Sequence, residues 1–281
     1  MGSEGFGIVS TGPQDDEWRQ YDHGVYLLFA KGKRPDRSSI RRFTDRQAST
    51  TISYDPADDP PVVVDHEDAE TALSESLVSK SAWLEMLRDG LAFDLEGLAP
   101  DQSVEAPLVE HRFDFDHAIT FSMHEAMRLV PGRHLSGGEQ TLPVVRCLIS
   151  LARDLAHEFE DVVAIIWPPA QCVIGRRFFE SITTAWLEGG AFPALGLTSF
   201  QETIDGGLQS VGLNYFIGQE LRLEPSLTAE RAEATRLAIR LVNQLILVGG
   251  IDESERVTAP DGNRLVMRPS RNGKFVRVWG E

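Results

Sequence analysis

Two patterns between residues 144 and 169 constrain this chain most. Val144, Leu148, Leu151, Leu155 and Phe159 recur at spacings of four, three, four and four, which places them on one stripe of an α-helix. Shortly after it, VVAIIW is a short apolar run stopped by Pro168 and Pro169, as a buried strand would be. A helix that feeds a strand so directly must lay its apolar stripe on a sheet, so the chain is committed to a layered fold of helices and strands.

The remaining segments fill in that fold. GVYLLFA (24–30) reads as a buried strand, Pro35 to Ala48 as a basic helix and TTISY as a second strand. The Asp- and Pro-rich run from Asp55 reads as an exposed loop with a short edge strand at Val62 to Val64. After it, Trp83, Leu84 and Leu87 predict a short helix capped by Ser79 or Ser81 and stopped at Gly90. HRFDFDHAITFSM alternates as a half-buried strand, and Arg176 to Glu188 predicts a helix with Phe178, Ile182 and Trp186 inward. A hairpin turns at Asp205-Gly206-Gly207, its second strand carrying Val211, Leu213, Tyr215 and Ile217 on one face. Thr228 to Val248 is a further amphipathic helix, and a meander with turns at Asp261-Gly262 and Asn272-Gly273 follows. The expected class is α+β, a mixed or antiparallel sheet with helices packed mainly on one face, with two small α/β subdomains as the alternative. The expected division is a βαβ-like N-terminal part with an acidic loop, 1–105, and an α+β part, 106–281.

Composition narrows the function classes. Cys147 and Cys172 lie in apolar segments and offer neither a disulfide framework nor a Cys-based zinc site, which suits a reducing cytoplasm. The start has no basic and apolar signal, and no apolar stretch approaches the ~20 residues that span a bilayer, so a soluble protein without membrane attachment is expected. A net charge of −16 argues against general nucleic-acid binding. Charge is nonetheless uneven: Asp55 to Glu75 is acidic without Lys or Arg, whereas Lys31 to Arg46 is strongly basic and Arg264 to Arg277 holds five basic residues and no acid. Such patches suit a protein partner or an anionic ligand.

LSGGEQ, residues 135–140, has the letters of the ABC-ATPase signature. That motif serves a phosphate-binding G-x-x-x-x-G-K-[ST] loop, which this sequence lacks, and VVAIIW ends in Pro168 where a magnesium-binding carboxylate is needed. The segment reads instead as a helix approach. Ser136 and Glu139 stand at capping-box spacing, or the helix begins at Thr141 with Pro143 in its first turn.

Polar candidates are few. His111, His117, His124 and His134 crowd one window with several acids, but strand parity separates the first two from Asp114 and Asp116. His124, Glu125, Arg133 and His134 would converge if the chain folds back near Pro131-Gly132, and Gln219 and Glu220 give the hairpin region polar density. No nucleophile elbow, H-E-x-x-H, EF-hand or dinucleotide fingerprint occurs, so neither a metal nor a cofactor is expected. Trp167 and Trp186 read as core or pocket walls.

AIIWPPA, the helix ending in WLEGG, GLTSF and GLNYFIGQELRLEPS, taken in that order, resemble the C-terminal part of a bacterial family of domains of unknown function, over roughly residues 115–281. The resemblance implies a bacterial cytosolic protein and supplies no catalytic residues. The expectation is a non-catalytic binding or accessory protein working with another protein through the hairpin and its neighbouring loops. The rival is a metal-dependent or hydrolase-like enzyme built on His124, Glu125 and His134.

Overall fold

A computed structural model of the protein describes residues 22–58, 83–115, 123–259 and 262–281. The fold is α+β, built on two open sheets. The first holds β1 (Val25–Ala30), β2 (Thr50–Tyr54), β3 (Trp83–Arg88), β4 (Leu91–Glu96), β5 (His111–Phe113), β6 (His124–Pro131), β7 (Val162–Trp167) and β8 (Cys172–Gly175), in the order β2-β3-β4-β6-β1-β7-β8-β5. All neighbours are antiparallel except β5 and β8. β1, from before residue 105, is thus zipped between β6 and β7, from after it.

Parity explains the layers. Val25, Leu27 and Phe29 of β1 point to the face covered by α2 (Leu142–Glu158) and α3 (Arg176–Leu187), whereas Tyr26 and Leu28 point to the other. No helix of the described residues packs on that second face. An irregular strap presses Val104, Ala106 and Val109 against Tyr26, Leu28, Ile166 and Val173 instead. α1 (Arg37–Asp45) takes an N-cap bond from Ser39 N–H to the Asp36 carboxylate and buries Ile40 and Phe43. α2 begins after Thr141 with Pro143 in its first turn, and the Ser136/Glu139 box does not form because Ser136 lies outside the helix. Val145, Leu148, Ile149, Leu151 and Leu155 are buried along it, each such side chain contributing about 1.5–3 kcal/mol on leaving water.

Two local expectations change. Trp83 to Gly90 is not a helix: β3 and β4 form a hairpin across Asp89-Gly90, with Leu84, Met86 and Arg88 buried in strand alternation. Both turn residues have positive φ, 50° and 83°, the geometry that an Asp-Gly pair tolerates. In α3 the buried line is Phe179, Thr183 and Trp186. Phe178 is half-buried instead, with its ring stacked on Phe113.

The second sheet has the order β12-β13-β14-β11-β10-β9, with β9 (Ser199–Glu202), β10 (Leu208–Val211), β11 (Glu220–Leu223), β12 (Glu255–Thr258), β13 (Arg264–Pro269) and β14 (Phe275–Gly280). β11 and β14 are parallel and the other neighbours antiparallel. α4 (Arg231–Val248) packs Ala234, Ala238, Leu241 and Leu245 on one face. The predicted long second strand of the hairpin is broken at Gly212, where φ is +92° and a Cβ would stand 2.7 Å from the Pro169 carbonyl oxygen. Residues 214–217 form a single helical turn instead, its Tyr215 and Phe216 rings 5.3 and 6.3 Å from Trp167. Phe192 and Trp186 extend this aromatic chain, so a single core runs from one sheet to the other.

Candidate functional site

The β9–β10 hairpin is rigid by construction. Thr203 N–H donates to Gly207 O at 2.9 Å, Gly206 N–H returns to Thr203 O at 2.8 Å, and the Thr203 hydroxyl donates to Asp205 at 2.6 Å. Arg222 of β11 holds Asp205 from the side. The Thr228 hydroxyl then donates to Gly206 O at 2.6 Å, and Arg231 meets Glu202 at 3.3 Å, so the tip is fastened to the start of α4. On this fixed tip Ile204 is completely exposed. A β-branched apolar side chain held in water on a tethered turn contributes nothing to the core.

Beside the tip runs a groove of about 640 Å³ between α4, the turn at 225–229 and the β12–β13 connection. Leu227, Leu237, Ala259 and Leu265 give it an apolar floor. Its rim is charged with both signs. Glu233, Arg236 and Arg240 follow one another at helical spacing, Arg236 pairing with Glu233, whereas Glu230 and Arg240 make no ion pair among the described residues. An apolar floor inside a mixed-charge rim is suited to a segment with an apolar anchor and flanking charges.

Gln219 and Glu220 belong to the scaffold of this region. Buried Gln219 donates to Ile251 O at 2.9 Å and accepts from Ile251 N–H at 3.0 Å, clamping the chain that leaves α4. Glu220 accepts from the Ser210 hydroxyl and from the backbone N–H groups of Gly212, Leu213 and Asn214 at 2.8, 3.2 and 3.3 Å. Burial outweighs these donors and pushes its carboxyl up to about 7.

His124, Glu125, Arg133 and His134 do not gather. His124 and Glu125 open β6 and the other two follow its far end, about 23 Å away at ~3.3 Å per residue. Glu125 accepts from Arg34 Nε at 2.9 Å and from Gly32 N–H at 3.2 Å, and Arg34 holds its carboxyl below the usual range. The same guanidinium donates to Asp101 O at 2.7 Å and to Gly97 O, which anchors the strap. The His124 ring lies edge-on to Phe115, and Arg133 and His134 are exposed. His117 lies outside the described residues. Among the described residues no group of three or more His, Cys, Asp and Glu is placed to hold a metal ion. No helix among them is long and apolar enough to cross a membrane.

No family model, curated protein or solved structure matches the chain. The groove escaped sequence reasoning because its walls come from residues 226 to 265, which no local pattern connects. The signal within reach was the amphipathic helix itself, whose Leu237 is half-buried although it lies in the predicted apolar register.

Proposed function

We propose that this protein is a non-catalytic binding protein of the bacterial cytosol that seizes a segment of another protein at the hairpin tip and the adjoining groove. The observation that carries the reading is Ile204, fully exposed on a turn tied down at both flanks beside an apolar-floored groove. The partner segment presents an apolar side chain to Leu227 and Leu237, a cation to Glu230 and an anion to Arg240.

The test is capture of a partner by the purified full chain, repeated with Ile204→Asp and Arg240→Glu. Both positions are exposed, so thermal unfolding is expected to stay where it is. One partner at near-equal stoichiometry, weakened at least ~10-fold by each change, supports the reading. Equal retention by the wild type and both variants overturns it.

A further inference from the structure

The outward face of the second sheet carries a charge pattern that the fold does not require. Leu221 and Leu223, Val276 and Val278, and Leu265 and Met267 point to the core, so the residues between them point away. On that outer face Arg222 of β11 stands directly beside Arg277 of β14, and Arg277 directly beside Arg268 of β13. Three guanidinium groups therefore cross three adjacent strands in one row, each step about 4.8 Å. Like charges on facing strand positions destabilise a sheet.

Compensation is partial. Glu224 accepts from Arg277 at 2.6 Å and stands 3.6 Å from Arg222, which also reaches Asp205. Arg268 donates to the Ser254 hydroxyl at 3.1 Å and lies over the Trp279 ring, with no ion pair among the described residues. Arg222 Nε is buried without a hydrogen-bond partner. Arg271, in the β13–β14 turn, has no hydrogen bond or ion pair among the described residues, and Lys274 lies in the same turn.

Two members of the row, Arg222 and Arg277, join Arg271 in a cavity of about 490 Å³ whose other walls are Ser270, Asn272 and Phe275. Guanidinium forks match phosphate oxygens, and the half-buried Phe275 ring supplies a flat apolar wall beside them. We infer that this cavity binds a small phosphorylated ligand bearing a planar ring, the chemistry of a nucleoside di- or triphosphate. Two or more phosphates satisfy Arg271 and Arg277 while the ring rests on Phe275. A small ligand is favoured over a polymer because the chain as a whole carries −16, which repels an extended polyanion but leaves a local cationic cavity open. The cavity lies on the sheet face opposite α4, so this inference is independent of the partner groove.

Titration of the full chain with ADP, with inorganic phosphate and with a single-stranded octanucleotide, followed by calorimetry at low salt, tests it. Saturable one-to-one binding of ADP is expected, with inorganic phosphate weaker. Arg271→Ala, which removes no bond within the described protein, is expected to weaken ADP about tenfold, and Phe275→Leu to weaken ADP while leaving phosphate unchanged. Absence of saturable ADP binding overturns the inference, as does equal binding by Arg271→Ala. Tighter binding of the octanucleotide than of ADP overturns the small-ligand assignment.

Discussion

Arg88, at the end of β3, donates to the Asp154 carboxylate of α2 at 2.7 Å and to the Ser150 and Thr50 hydroxyls at 2.9 Å each. This pair joins the hairpin side of the first sheet to its main helix, and both side chains are largely buried. Removing Asp154 leaves the largely buried guanidinium with only the exposed Asp89 carboxylate, at 3.5 Å, as counter-charge. Asp154→Ala is expected to cost about 3–5 kcal/mol, read as a shift in urea midpoint, while the apolar double variant Arg88→Met/Asp154→Leu recovers most of it. A loss under ~1 kcal/mol for the single variant would show that water reaches the guanidinium.

Gly212 turns the chain where no other residue fits. At φ +92°, with the Pro169 carbonyl 2.7 Å from any Cβ, Gly212→Ala is expected to cost about 1–3 kcal/mol or more, through strain and a forced retreat of the 168–170 turn. Calorimetric unfolding checks this, and an unchanged Tm would contradict it.

Glu220 makes stability depend on pH in a defined direction. Its carboxyl is raised from an ordinary 4.5 to about 7, chiefly by burial, so between those values the folded chain keeps a proton that the unfolded chain releases. The contribution is fully present below about pH 4.5 and is lost as pH rises through about 7. Tm measured across that window is expected to fall more steeply for the wild type than for Glu220→Gln. Parallel curves would refute the assignment.

Both thiols are shielded. Burial pushes Cys147 up to about 11 and raises Cys172 further, its Sγ donating to Gly196 O at 3.0 Å. Since the thiolate is the reactive form, neither is expected to alkylate with iodoacetamide at pH 8 unless the chain is unfolded, when both react. Intact-mass measurement reads the difference, and rapid modification of the folded chain would contradict it.

Legibility followed the reach of each interaction. The stripe Val144 to Leu155 and the run VVAIIW announce themselves locally, because period and burial are written within a few turns of chain. Trp83 to Gly90 misled because Trp83, Leu84 and Leu87 fit a helical face as well as a strand; the Asp89-Gly90 pair between two apolar runs was the hairpin signal. CVIG is a buried strand of four residues with no periodicity of its own, visible only as a partner of β7. The row Arg222-Arg277-Arg268 depends on the parallel pairing of β11 with a strand 55 residues later, so composition hints at the basic segment but not at its geometry. Pro131-Gly132 reads as a turn that would bring His124 and His134 together, yet the chain merely exits the sheet there.

The position of β1 has a consequence for biosynthesis. VYLLFA is made well before its two neighbours in the sheet, which begin only at His124 and Val162. At about 5–20 residues per second, the nascent chain carries an apolar ribbon with both rims open for several seconds before either is covered. Strong overexpression, which crowds such unfinished chains together, is therefore where VYLLFA is most open to pairing with other ribosomes' products.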